Sequence, residues 1–213
     1  MPGHRFVAYL QNHDQIGNRA LGDRLSALLS PGLLKVGATF LLTSAFTPML
    51  FMGEEWAATT PWQFFTSHPE PDLADAVRTG RRREFGSHGW AQTDVPDPQD
   101  PATFERSKLD WAEVHKPGHA EILDLYRRLI ALRRGRADLS DPWLDRVDVE
   151  HGDQYVLMRR GHTAVAANLA PVPQTISLRA VPSKVLLATE PGVVPQRDRI
   201  ELPPESAVIV AFG

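Results

Sequence analysis

Two short clusters hold the residues best equipped for chemistry. The first is Gln11-Asn12-His13-Asp14-Gln15, which follows the apolar run Phe6-Val7-Ala8-Tyr9-Leu10. Asp14 supplies a carboxylate, His13 a ring donor, and Asn12 and Gln15 amides that both donate and accept. That mixture suits a hydroxyl-rich ligand, since every sugar hydroxyl needs donors and acceptors in return. The second cluster is Glu54-Glu55-Trp56, directly after the run Pro48–Gly53. Adjacent carboxylates repel, so such a pair is ordinarily solvated or bound to a cation. Each cluster also has a plain structural reading. The first serves as an Asx turn or helix cap ahead of Ile16, and the glutamates cap the loop after a strand. Spacing alone leaves both readings open.

The elements around the clusters decide where they point. Arg5–Leu10 reads as a short buried strand, rich in β-branched and aromatic residues. Asn18–Leu29 looks helical, with Ser30-Pro31-Gly32 as punctuation. Residues 33–46 have the length and apolar density of a buried helix, which Thr47-Pro48 stops. Pro48–Gly53 suits a strand buried on both faces of a parallel sheet. Strand, helical connection and strand make one βαβ unit, and in such units ligands meet the C-terminal ends of the strands. Neighbouring strands lie about 4.8 Å apart, so Asp14 and one of the two glutamates are expected to flank one cleft. By chemistry alone they are a carboxylate pair for glycoside hydrolysis.

Periodicity dissolves over residues 54–117, which contain four of the five tryptophans and many of the eighteen prolines. This long loop reads as ordered and functional, with some short helix near Asp72–Phe85. Its aromatics, Trp56, Trp62, Phe64 and Phe65 among them, read first as loop core, with sugar stacking as the alternative. The basic run Arg81-Arg82-Arg83 reads as a solvated face. His115 and His119 are four apart, but Pro117 and Gly118 spoil a helical metal pair, so no catalytic metal and no cofactor are expected. Gly118–Arg134 is the clearest helix, with Ile122, Leu125, Tyr126, Leu129 and Leu132 on one face. Beyond it seven short runs with partial alternation, separated by turn residues, read as a small antiparallel sandwich. The chemical reading therefore gives an α/β part, residues 1–137 with the long loop 54–117, followed by an all-β domain, residues 138–213.

Bulk properties narrow the class. The 213 residues carry a net charge of −3 and no cysteine. Disulfides and thiolate metal sites are excluded, and a broad nucleic-acid or anionic-membrane footprint is not expected. No signal peptide is visible, and the longest apolar segment is too short to span a bilayer.

The two strand ends together carry a resemblance. Phe6–Arg19, reading FVAYLQNHDQIGNR, resembles the region of the α-amylase family of glycoside hydrolases in which the seventh barrel strand ends in Asn-His-Asp. Phe46–Trp56, FTPMLFMGEEW, resembles the family's eighth strand end, with one departure: Phe46-Thr47 stand where many members have a glycine before the proline. Residues 61–85, 95–111 and IGNRALGDRL are similar to the trehalose-releasing branch of that family. The resemblance implies the C-terminal fragment of a (β/α)8 TIM barrel, strands 7 and 8 with their helices, followed by the β-sandwich. It implies a cytoplasmic enzyme hydrolysing the α-1,4 bond next to the trehalose unit of a maltooligosyl trehalose, through a retaining double displacement. In that scheme Asp14 is the transition-state stabiliser, His13 holds the sugar in the cleaved subsite, and Asn12, Gln15, Glu54, Glu55 and Trp56 are substrate-contacting candidates. The nucleophile and the general acid belong to strands 4 and 5, which this sequence does not contain. The Asp-Arg pairs at Asp23 and Asp145 lack the apolar strand that a nucleophile needs in front of it. The isolated chain is accordingly expected to be inactive, and to associate with itself or with a missing barrel portion through unpaired strand edges. The alternatives are a branching-enzyme or α-amylase fragment, a non-catalytic glycan-binding module, and a truncated product without a function of its own.

Overall fold

The computed structural model describes residues 1–91 and 94–213. The chain divides into two compact units. One comprises Met1–Leu10, Leu29–Met49 and Ala120–Gly213, the other Gln11–Leu28 and Leu50–His119.

In the first unit, β1 (Val7–Ala8) and β2 (Thr47–Pro48) pair in parallel, with Val7 opposite Thr47 and Ala8 opposite Pro48. Between them in sequence lies α3 (Pro31–Thr43). Its start is dictated locally: the Ser30 side chain accepts the Leu33 N–H at 3.1 Å, and Pro31 takes the first helical position, where no N–H is needed. Its end is held from afar. Arg133 donates to the carbonyls of Leu42 at 2.9 Å, Ser44 at 2.6 Å and Phe46 at 2.7 Å, and Arg160 donates to that of Thr43 at 2.5 Å. Two cations thus satisfy the orphan carbonyls where the helix dipole is negative, and they hold the chain as it enters β2. Burial pushes the Arg160 guanidinium down to about 10, with the neighbouring Arg133 charge acting in the same direction.

Both strands are shorter and more exposed than their sequences suggest. Phe6, Val7 and Tyr9 are 47%, 58% and 41% exposed, against the expectation of a buried strand. Among the described residues β1 and β2 have only each other as ladder partners, so each keeps one edge unpaired. The second strand stops at Pro48 instead of reaching Gly53: the Met49 N–H still donates to the Ala8 carbonyl at 2.8 Å, but the Phe51 and Gly53 amides go to the glutamates described below.

The sandwich strands follow from the alternating runs. They are β3 (Val147–His151), β4 (Tyr155–Arg160), β5 (Thr163–Asn168), β6 (Gln174–Ser177), β7 (Lys184–Ala188), β8 (Pro195–Gln196), β9 (Arg199–Leu202) and β10 (Ser206–Ala211). Seven match the sequence runs, and β8 is an addition. They form a five-stranded sheet in the order β3-β4-β5-β10-β7 and a three-stranded sheet β6-β9-β8, all antiparallel. Leu157, Ala164, Ala166, Val208 and Val210 of the larger sheet share one core with Ile176, Ile200 and Leu202 of the smaller. On the opposite face Ala167 and Ala207 pack with Val36 and Phe40 of α3. Covered on both faces, β5 and β10 are buried at all six positions, which explains their unbroken apolar runs. The buried Asn168 side chain donates to the carbonyls of Val172 and Pro203 and accepts the Ala170 N–H, each at 2.8 Å, so its burial leaves no polar group unpaired. The helix α6 (His119–Gly135) presents Ile122, Leu125, Tyr126 and Leu129 to the interior, as its periodicity predicts.

The second unit departs most from its sequence. The expected helix over Asn18–Leu29 is confined to α2 (Leu25–Leu28), because Gly22 adopts a left-handed φ of +70° and breaks it. The long loop contains α4 (Pro71–Ser87), seventeen residues, and α5 (Pro101–Arg106). Only Arg81 and Phe85 of α4 are buried, so apolar periodicity is nearly absent and the helix rests on good helix formers after Pro71. Residues 92 and 93 of this loop lie outside the described residues. The loop aromatics form a ladder of rings, Phe51 to Trp62 to Phe65 to Phe104, with centroids 5.7, 5.4 and 5.0 Å apart in edge-on contacts. Among the described residues no helix is long and apolar enough to cross a membrane.

Candidate functional site

Gln11 to Gln15 form the start of a short helix, α1 (His13–Gly17). Every side chain in the stretch has a distinct fate. Gln11 is buried, and its Oε1 accepts the Leu25 N–H at 3.1 Å. Asn12 is the N-cap: its Oδ1 accepts the Gln15 N–H at 2.8 Å. Ile16 anchors the turn in the interior. His13, Asp14 and Gln15 are left on the outside. The cap reading thus holds for Asn12, and the three side chains after it face solvent. The Asn12 cap sets the direction in which the next three side chains leave the backbone.

His13 and Asp14 come together. His13 Nε2 lies 3.2 Å from Asp14 Oδ1, with side chains 69% and 73% exposed. An imidazole beside a carboxylate, both open to solvent, gives a ligand one donor and one anionic acceptor within a few ångströms.

The other end of α1 is held by a residue that sequence reading missed. Arg81, taken as part of a solvated basic run, is buried. It donates to the carbonyl of Gly17, the last residue of α1, and at 3.3 Å to that of Arg19. Its guanidinium also stacks over Phe64 at 4.8 Å and Phe85 at 4.5 Å. Burial pushes its pKa down, and Glu84 opposes the shift. The basic run gave no hint which arginine turns inward. The only local sign is that Arg81 lies four residues before Phe85, on the same helix face.

Glu54, Glu55 and Trp56 make one turn of 3₁₀ helix, entered through Gly53 in a left-handed conformation at φ +88°. Glu54 is buried, and its carboxylate accepts the Phe51 N–H at 3.1 Å. Glu55 accepts the Gly53 N–H at 2.9 Å. Both carboxylates thus serve backbone amides of their own loop. Trp56 is 2% exposed, and its ring lies against Trp111 with centroids 5.1 Å apart. His119 Nδ1 is 2.8 Å from the Trp56 carbonyl, and because a carbonyl can only accept, that nitrogen carries the proton.

Arg24 is the second residue missed. It is 1% exposed and donates from Nε to the Thr60 carbonyl at 2.5 Å and from Nη1 to the Met52 carbonyl at 2.8 Å. Ser26 donates to the Ala58 carbonyl at 2.6 Å. These bonds stitch the segment after α1 to the loop carrying Glu54 and Glu55. Burial lowers the Arg24 pKa, opposed by the charges of Glu54, Glu55 and Glu113. Among the described residues no group of three or more His, Asp or Glu side chains is placed to hold a metal ion.

The chain as a whole is similar to known proteins in sequence and in fold. The domain of unknown function DUF3459 matches residues 142–209, the sandwich. A malto-oligosyltrehalose trehalohydrolase of Rhizobium sp. (strain M-11) is 53% identical over 206 residues, covering 96% of this chain and 34% of the relative. That of Mycobacterium tuberculosis (strain H37Rv) is 50% identical over 196 residues, covering 91% and 33%. Among solved structures, one from Salmonella typhimurium described as a candidate alpha amylase superposes with a TM-score of 0.81 at 36% identity, over 99% of this chain and 36% of its own. An isomaltulose synthase from Klebsiella sp. LX3 shares the fold at a TM-score of 0.61 and 16% identity. The chain spans about a third of the length of the curated relatives it matches. Over nearly all of its own length, it is homologous to the malto-oligosyltrehalose trehalohydrolases, glycoside hydrolases with α-amylase neighbours.

Proposed function

We propose that this chain is the C-terminal part of a trehalohydrolase: strands 7 and 8 of a (β/α)8 barrel with their helices, then the terminal sandwich. The whole enzyme would release trehalose from maltooligosyl trehalose by cleaving the adjacent α-1,4 bond. The observation that carries this reading is the solvent-facing His13–Asp14 pair, on a turn capped by Asn12, at the exit of a strand paired in parallel with the strand that leads to Glu54. The identity to trehalohydrolases over nearly the whole chain supports the substrate class.

In the proposed mechanism, the Asp14 carboxylate stabilises the positive charge that develops on the sugar ring as the glycosidic bond breaks. A fixed anion favours that oxocarbenium-like state over the neutral ground state. His13 donates a hydrogen bond to a hydroxyl of the same sugar, and Gln15 offers an amide beside it. Asn12 acts through its cap, and Arg81 holds the far end of the same turn. Glu54 and Glu55 shape the second loop through the Phe51 and Gly53 amides, and the Trp56 ring, being buried, supports that loop from within. Neither the nucleophile nor the general acid is supplied by these residues, so the chain alone does not complete the reaction.

Two measurements test this. The purified monomeric chain, incubated with maltooligosyl trehalose, is expected to release no trehalose, and release would overturn the assignment. A chimera in which the chain replaces the corresponding third of the Rhizobium relative is expected to be active. In it Asp14→Asn should lower kcat by about 10²–10³-fold with little change in KM, the usual effect of removing one electrostatic stabiliser. An unchanged kcat would remove Asp14 from the mechanism.

A further inference from the structure

We infer that the outward face of Trp111 is a stacking platform for a saccharide ring. Trp111 is 68% exposed, the most exposed of the tryptophans among the described residues. It is also rigidly mounted. Its inner side rests on the buried Trp56 ring. The 3₁₀ turn that carries it, Trp111–His115, is fixed at its start and at its middle. The Asp110 carboxylate accepts the Ala112 N–H at 2.9 Å, and Glu113 accepts the Thr59 N–H at 3.2 Å and the Thr59 hydroxyl. The Asp110 N–H donates to Thr60 Oγ1 at 3.3 Å. A platform fixed before binding loses little conformational entropy when a ligand arrives.

Its surroundings select the ligand. Asp110, His115 and Lys116, its neighbours along the chain, are exposed, with Lys116 Nζ 3.4 Å from Asp110 Oδ2. A single aromatic face in a polar rim is not the contiguous apolar patch that a protein partner needs. The Lys116 ammonium disfavours a cationic ligand over the ring. A sugar ring fits both features: its C–H face covers the indole, and its hydroxyls meet the carboxylate, imidazole and ammonium at the edge. The choice of an α-glucan as the sugar rests on the proposed function. Trp111 is offered as a binding residue, with no role at the reacting atoms.

The test is titration of the full chain with maltotriose, by calorimetry and by tryptophan fluorescence, for the wild type and for Trp111→Ala, Trp111→Phe and Asp14→Asn. The wild type is expected to bind, Trp111→Ala to bind about tenfold more weakly, and Trp111→Phe to retain most of the affinity. Wild type that does not bind, or Trp111→Ala that binds as tightly as wild type, overturns the inference. Should Trp111→Ala fail to fold by circular dichroism, Trp111→Phe decides. Affinity kept with the sugar-induced fluorescence change lost supports the platform, and a change retained in full overturns it. Loss of binding in Asp14→Asn alone would leave the proposed function standing and this inference refuted. Loss in Trp111→Ala alone supports the platform whatever the chimera shows.

Discussion

Replacing Gly22 with alanine gives the sharpest test of how the segment after α1 is held. Gly22 adopts φ +70°, and its carbonyl accepts the Trp62 N–H at 2.8 Å. A Cβ there would lie 2.4 Å from the Trp62 carbonyl oxygen, 2.5 Å from its carbon and 2.7 Å from the Gln63 nitrogen. All three are backbone atoms, so a rotamer change relieves nothing. The left-handed conformation costs a side-chain-bearing residue about 1–2 kcal/mol, and forced overpacking adds roughly 1–3 kcal/mol, for about 2–5 kcal/mol together. Gly118 is the internal control. It belongs to the same unit and has φ +82°, but an added Cβ would meet nothing within 4 Å. Gly118→Ala should therefore cost only the conformational part, about 1–2 kcal/mol. Urea titrations followed by near-ultraviolet circular dichroism, which reports on the packed aromatic ladder, would give both losses from midpoint and slope. If the two variants lose the same stability within about 0.5 kcal/mol, the close approach of Gly22 to the Trp62 backbone is not what makes glycine necessary there.

Two further outcomes follow from single contacts. Asn12→Ala should remove the cap of α1, at about 1 kcal/mol, and speed amide exchange at Gln15, whose N–H the Asn12 side chain accepts; unchanged exchange would refute the capping role. Asp138 governs an acid response. Burial alone would raise its pKa, but hydrogen bonds from Thr163 and Arg136, each at 2.8 Å, together with the Arg136 charge and the His162 amide, outweigh burial and hold it below the usual carboxylate range. A depressed folded-state value means that its stabilisation is complete above the unfolded value, about 4, and is lost as pH falls through the folded value. The stability difference between wild type and Asp138→Asn should thus stay constant above about pH 5 and shrink below about pH 4. A difference that widens in acid would reverse the assigned sign.

Local chemistry made much of the chain legible. Short, partly alternating runs between turn residues read seven of the eight sandwich strands, and the helical repeat of Ile122, Leu125, Tyr126 and Leu129 read α6, because apolar spacing records which faces turn to a core. The cap signal at Asn12 is a backbone effect within a few residues, so it too shows in one dimension, whereas the helix expected over residues 33–46 runs Pro31–Thr43 and ends ahead of Thr47-Pro48, which form β2. The length of α4 was not legible, since a helix that buries only Arg81 and Phe85 leaves almost no period to find.

What the sequence determined by itself is a pair of strand-end motifs, their spacing across one helix, and the residue types able to handle a sugar. What only the tertiary structure decided is which of those residues face outward. Glu54 reads as a ligand-contact candidate and Trp56 as loop core or sugar contact, and the fold turns both inward, while Trp111, one of the same loop's aromatics, stands in solvent. Arg81 bonds a carbonyl 64 residues away, and Arg24 bonds carbonyls 28 and 36 residues away. The physical reason is common to all of these. A long side chain is buried only where distant backbone supplies its hydrogen bonds or its packing surface, and no local pattern records which distant segment that will be.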